Sequence, residues 1–220
     1  MMLVLNLKAY PDSAGLKGLK LAEVARDAAE AAGKTVVVCP QQCDLRWVLE
    51  KVPETKHYKV FAQHGDAVSQ GSRTGWIPLE AVKGCGASGL LINHSEHRIE
   101  NVKETIQAAK ALRLTAVVCA QSPEESKKFS GFEPFAVAFE PPDLIGSGIS
   151  VTTRPEVAEE SIKAIKEGGS AKPFVGAGVS NSVDVRESFA LGAEGVLLAS
   201  AFVKAEKPRA LLDGMLVNCP

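Results

Sequence analysis

Short apolar runs recur along the chain, and most are followed by a stretch whose apolar positions repeat at helical spacing. The runs fall at residues 3–8, 35–39, 59–63, 89–93, 115–120, 136–139, 174–177 and 195–199. They are short, rich in β-branched residues and continuously apolar, as expected of strands covered on both faces. After the first run and Gly15, residues Leu21, Val24/Ala25, Ala28 and Ala31/Ala32 mark a helix face, and Gly33 is placed to stop it. Asp44 can cap a short helix carrying Leu45, Val48/Leu49 and Val52. A polar, glycine-rich loop spans 64–75, and only a brief helix around 78–83 fits before the fourth strand. Further helices are expected at about 99–112, weakly at 123–128, and at 155–166, with Pro155 near its start and Gly168-Gly169 after its end. Asn181 or Ser182 can cap the next, which stops before Gly192, and a last helix occupies 208–217.

Eight strand-then-helix units without a composition break favour a closed (β/α)8 barrel over an open doubly wound sheet. Such barrels usually run to ~250 residues, so this chain of 220 residues is expected to form one α/β domain over 1–220 with shortened outer helices. Trimmed helices leave apolar surface for a neighbour, which predicts a homo-oligomer.

Composition narrows the partners. The chain is 45% apolar and 23% charged with net charge −1, and it has no run of Lys and Arg, so neither nucleic acid nor an anionic membrane is expected as a partner. The first apolar run is broken at Asn6 and Lys8, too early for a signal peptide, and no stretch approaches the roughly 20 apolar residues of a spanning helix. Cys39, Cys43, Cys85, Cys119 and Cys219 are odd in number and scattered, without the paired spacing of a zinc site. Cys39 and Cys119 read as small core residues, and the expected compartment is the reducing cytoplasm.

Barrels of this kind carry their chemistry at the C-terminal strand ends, and the polar residues fall there. Asn6 and Lys8 share a face at the end of the first strand. Gln63 and His64 end the third, Asn93 and His94 the fourth, and Glu140 the sixth. Gly176-Ala177-Gly178 follows the seventh and Ala199-Ser200 the eighth. One cation, one imidazole and one carboxylate beside glycine-rich turns suit a small phosphorylated substrate held by backbone N–H groups. After Glu140, Pro141-Pro142 makes a stiff corner, Leu144-Ile145 an apolar tip and Gly146-Ser147-Gly148 a flexible exit. Taken alone, that stretch is as readily a surface loop as a lid closing over a base. His57 and His97 read as surface residues, and His64 is open. His94 precedes Ser95-Glu96, which look like a helix start whose N–H groups could donate to one ring nitrogen. Residues 84–89 match G-x-G-x-x-G but precede a strand instead of following one, so they read as a helix stop.

Together, Asn6-x-Lys8, the run Asn93 to Arg98 (NHSEHR), Glu140 to Gly148 (EPPDLIGSG), Gly176 to Ser180 (GAGVS) and Leu197 to Ser200 (LLAS) resemble the triosephosphate isomerases, most closely their short archaeal branch. The resemblance runs in order from the first strand to the eighth. It implies a (β/α)8 TIM barrel and a triose phosphate substrate. Residue by residue, it implies Glu140 as general base, His94 as neutral electrophile and Lys8 as the cation stabilising the enediolate. Asn6 stands beside Lys8, and Glu96 is a supporting carboxylate. Ile145, Gly146, Gly178, Ala199 and Ser200 match phosphate-holding positions. No metal and no organic cofactor is implied, and a homo-oligomer is, with a tetramer ahead of a dimer. The corner Pro141-Pro142-Asp143 departs from the longer branch, which has Pro-Val-Trp there. Two competing readings are another phosphate-binding barrel, such as an epimerase or a synthase, and a non-catalytic binding barrel. The first would want metal ligands or a second acid on the rim. The retained Lys8, His94 and Glu140 argue against the second.

Overall fold

The computed structural model describes residues 1–142, 144 and 150–219, with Val151 described by its backbone alone. Eight parallel strands close into a barrel in sequence order. They are β1 (Met2–Asn6), β2 (Thr35–Cys39), β3 (Tyr58–Ala62), β4 (Gly89–Ile92), β5 (Thr115–Ala120), β6 (Ala136–Phe139), β7 (Lys172–Val175) and β8 (Gly195–Leu198). Closure is made by β1 against β8, with Leu5 beside Leu198.

Strand alternation divides the core in two. Val4, Val37, Phe61, Leu91, Cys119, Ala138, Phe174 and Leu197 point inward and form one cluster in the barrel's interior. Their neighbours, such as Leu3, Val36, Val60, Val118 and Val196, face the helices in a second cluster. The interior is fitted by size. A Cβ on Gly89 would stand 2.8 Å from the Phe61 ring, and one on Gly195 would stand 2.5 Å from the Phe174 ring. Two strand glycines therefore make room for two aromatic rings, as close packing demands.

Among the described residues nine α-helices surround the strands: α1 (Leu16–Ala32), α2 (Leu45–Lys51), α3 (Leu79–Gly84), α4 (Val102–Ala111), α5 (Pro123–Ser130), α6 (Pro155–Gly168), α7 (Ser182–Ala190), α8 (Ser200–Val203) and α9 (Pro208–Val217). Some of the outer helices are short, α2 with seven residues, α3 six and α5 eight, whereas α1 has seventeen and α6 fourteen. Gly33 ends α1 at φ +62°, its N–H shared between the carbonyls of Ala29 and Glu30. The helix α5 packs tightly on α6, where a Cβ on Gly168 would lie 2.3 Å from the Lys127 carbonyl oxygen.

Several details differ from the expectations. The first strand stops at Asn6, because Lys8 turns to φ +47° after Leu7 donates a last ladder bond to the Cys39 carbonyl. Likewise β4 stops before Asn93 at φ +62°, and β7 stops before Ala177 at φ +66°. No helix begins at Ser95-Glu96 or at Ile99: this segment is turned, and α4 starts at Val102. Asp44 makes no side-chain cap bond to α2. Its carboxylate instead accepts the Gly15 N–H at 2.7 Å, tying the start of α1 to the next unit. Asn181, not Ser182, caps α7, accepting from Val183 and Asp184. The four-residue α8 had no signal in the apolar spacing.

Candidate active site

Parity places the site. Residues 136, 138 and 140 lie on one face of the β6 segment, so the row that puts Ala136 and Ala138 into the barrel's interior ends on Glu140 at the rim. The same rule carries Val4 to Asn6 and Phe174 to Gly176; Lys8 lies past the strand end at φ +47° and lines the same rim. Asn6, Lys8, His94 and Glu140 line one cavity of about 280 Å³ together with Gly178, Ala199 and Ser200. That is near the lower end for small-molecule pockets. The proposed phosphate contacts Ile145 and Gly146, with the exit Ser147-Gly148, lie outside the described residues; of the apolar tip only Leu144 is described, and it is buried.

Glu140 is 5% exposed. Its backbone N–H donates to the Ala120 carbonyl at 2.8 Å, which extends the ladder by one bond and fixes where the side chain starts. Its Oε2 has no hydrogen-bond partner among the described residues and stands 3.7 Å from His94 Nε2. A buried carboxylate oxygen without a donor is costly, and it is free to accept a proton from whatever enters the cavity. Gly176 forms the wall behind it: a Cβ there would fall 2.7 Å from Glu140 Cγ. Below it, burial and the Glu140 charge push the Cys119 thiol well above its ordinary range, so this cysteine stays a neutral core residue.

His94 is 6% exposed. The Glu96 N–H donates to its Nδ1 at 3.2 Å, supplied by a turn and not by a helix. A ring nitrogen that accepts a hydrogen bond carries no proton, so the ring N–H sits on Nε2, facing the cavity and Glu140. The Glu96 carboxylate is also near Nδ1, at 3.8 Å, too far for a hydrogen bond. Behind His94, Asn93 is clamped through both ends of its amide: it donates to the Cys119 carbonyl and accepts from the Ile99 N–H, each at 3.1 Å. The clamp holds its positive φ.

Lys8 is held from three sides. Its N–H donates to Asn6 Oδ1 at 3.0 Å, its carbonyl accepts from Gln63 Nε2 at 3.0 Å, and its Nζ meets Glu96 Oε1 at 2.7 Å. The same Gln63 amide reaches the Cys39 carbonyl, so β1, β2 and β3 are tied together under the lysine. Opposite, Asp184 Oδ2 accepts from the Ser180 N–H and hydroxyl and from Asn181 Nδ2, which shapes the turn after β7.

The cavity also includes Val179 and Ser180 of the GAGVS motif, and three residues with no motif to mark them: Tyr10, Ala201 and Lys204. Lys204 lies one helical turn beyond Ser200, so helix spacing was the available signal for it; Tyr10 lies past the end of β1, where strand parity gives none. His97 is exposed as expected, but it stacks on His64 with ring centroids 3.9 Å apart, while His57 is half-buried. His64 is buried and bonded through Nε2 to Asp66, so it braces the base of the loop after β3. Among the described residues no group of His, Cys, Asp and Glu is arranged to hold a metal ion, and no helix is long and apolar enough to cross a membrane.

Comparison with known proteins gives one family. The profile of the triosephosphate isomerases matches residues 1–215. The chain is 44% identical over 209 residues to the triosephosphate isomerase of Caldivirga maquilingensis, covering 93% of this chain and 91% of that one. It is 43% identical over 210 residues to that of Methanocaldococcus jannaschii, 94% of each chain. A third relative, from Methanobrevibacter smithii, is 41% identical over 217 residues, 96% of each.

Proposed function

This chain belongs to the triosephosphate isomerase family, and from that premise we propose how its side chains divide the work. The reaction is the interconversion of dihydroxyacetone phosphate and D-glyceraldehyde 3-phosphate, an aldose–ketose isomerisation of glycolysis and gluconeogenesis. It proceeds by proton transfer through an enediolate. Glu140 takes the proton from the carbon next to the carbonyl and returns it to the neighbouring carbon. The Nε2–H of His94 donates to the carbonyl oxygen as negative charge develops there, then serves the adjacent oxygen in the same way. The Lys8 ammonium stabilises the enediolate and the phosphate, with Asn6 and Glu96 holding it in place. Gly178, Ala199 and Ser200, with Ile145 and Gly146, take the phosphate through backbone N–H groups. Both protons move through side chains, so the steps call for no metal or organic cofactor.

One observation carries this assignment: an unpartnered carboxylate oxygen and an imidazole N–H lie 3.7 Å apart on a cavity whose wall also holds a lysine. A C–H acid this weak is deprotonated only if base and oxyanion donor act together, and each such donor is worth ~3–4 kcal/mol. General-base catalysis adds roughly 10²–10⁴-fold. The test is Glu140→Gln in a coupled triose phosphate assay, with substrate C–H exchange followed in deuterated water. Turnover should fall by about 10²-fold or more with the far-ultraviolet spectrum unchanged, and exchange should fall with it. Near-normal turnover would refute Glu140 as the base.

We further assign residues 1–220 to one domain, working in the cytoplasm as a homo-oligomer, a tetramer ahead of a dimer. Large apolar side chains left in solvent support the assembly, Leu16 at 68% and Trp76 at 54% exposure among them. Sedimentation equilibrium reads the order, and a monomer at micromolar concentration would remove the assembly from the account.

A further inference from the structure

Two ammonium groups line the cavity, and only one has a role so far. Lys8 is paired with Glu96 at 2.7 Å. Lys204 is different: among the described residues no carboxylate lies within ion-pair distance of it. Its Nζ stands over the Tyr10 ring, 4.9 Å from the centroid. Asp12, close enough to feel the Lys204 charge, is already bonded to Lys17 at 2.9 Å. A ring face restrains an ammonium without neutralising it, since the attraction is only ~0.5–1 kcal/mol at an exposed site. The charge is therefore positioned and left available.

Its placement is defined by the fold. The Lys204 N–H donates to the Ser200 carbonyl at 2.9 Å, closing α8 and bringing the lysine back over the cavity that Ala199 and Ser200 line. Tyr10, which carries the ammonium, is anchored by its carbonyl to Ser13 and Gln41. On its outer side Lys204 borders an open depression with Lys17, Lys20 and Asp12; Asp12 pairs with Lys17, which leaves Lys20 and Lys204 in excess. The approach to the mouth past β8 and β1 is thus positive, while Glu140 is the sole carboxylate lining the cavity among the described residues.

We propose that Lys204, seated on Tyr10, is a second cation for the substrate's phosphate dianion, beside Lys8: it steers the anion in, and it adds to the site's preference for a phosphorylated triose over an unphosphorylated one. This deepens the isomerase reading and rests on it. Steering by a charged rim raises association rates by about 10–10³-fold and weakens with salt, so one exposed lysine belongs at the lower end.

The test compares Lys204→Met and Lys204→Arg with Tyr10→Leu and Tyr10→Phe. For Lys204→Met, kcat/KM on glyceraldehyde 3-phosphate should fall about tenfold at low ionic strength, with most of the change in KM. The slope of log(kcat/KM) against ionic strength should become shallower. The ratio of kcat/KM for glyceraldehyde 3-phosphate to that for glyceraldehyde should fall by the same factor. Lys204→Arg and Tyr10→Phe should stay near the parent, and Tyr10→Leu should fall between. An unchanged salt slope, or equal losses on the two substrates, would overturn the proposal. Titration of the parent and Lys204→Met with inorganic phosphate reads the same contact without turnover. A weaker affinity in the variant supports it and an equal affinity sinks it, whatever becomes of the isomerase assignment.

Discussion

The wall behind Glu140 makes a demanding prediction. In Gly176→Ala the new Cβ would lie 2.7 Å from Glu140 Cγ, 2.8 Å from Oε1 and 3.0 Å from Cδ, whereas ordinary contact begins at 3.4 Å. Something must give by about 0.7 Å. Gly176 is not at positive φ, so the alanine adds no backbone strain there. Its N–H is bonded to the Phe139 carbonyl at 2.9 Å, which keeps the wall in place and makes the carboxylate the group that retreats. Displacing a reacting group by 1 Å can cost 10²-fold, so a shift of about 0.7 Å should lower kcat by roughly 10–100-fold, ~1.4–2.7 kcal/mol of barrier. KM should change little, because the proposed phosphate contacts at Gly178, Ala199 and Ser200 are untouched. Stability should fall by about 1–3 kcal/mol, the usual cost of overpacking. Steady-state kinetics in the coupled assay and urea unfolding separate the two effects. A kcat within twofold of the parent, in a protein that still folds, would show that Gly176 does not set the position of the base.

Three further outcomes follow from the same geometry. Glu96→Gln removes the partner of Lys8; since the glutamate side chain is 57% exposed, the pair contributes little stability, and urea midpoints should hardly move while kcat/KM drops about tenfold as the ammonium loses alignment. Phe174→Ala empties the barrel's interior beside Gly195 and should cost ~3–5 kcal/mol in urea unfolding. Burial, more than the nearby His97, holds the His64 imidazole below its ordinary pKa against the pull of Asp66. The unfolded chain therefore takes up the proton first, so stability is full above about pH 6.5 and is lost as pH falls from there toward the depressed folded value. His64→Gln should flatten the change in unfolding midpoint between pH 7.5 and 5.5, and an unaltered slope would clear His64 of that role.

Local rules were enough for much of this protein. A period of two along a strand sends Ala136, Ala138 and Glu140 to the same side, and does the same for Val4 and Asn6; no knowledge of the rest of the fold is needed. Eight apolar runs separated by helical spacing leave few ways to cover every strand on both faces, which is why the barrel and the rim positions of Lys8, His94 and Glu140 were readable from residue order. What order along the chain does not contain is distance across the ring. The meeting of β1 with β8 joins segments some 190 positions apart, and only that closure seats Lys204 on Tyr10 and puts both on the wall that Lys8 lines. The role of Gly176 likewise appears only when β6 and β7 lie side by side and the glutamate needs the space. Asp44 is a plain helix cap by its spacing, and it turns to Gly15 because neighbouring units bring a free N–H within 2.7 Å. Periodicity is a property of one segment and survives in the bare sequence; clearance and pairing belong to two segments at once, and exist only after the chain has closed.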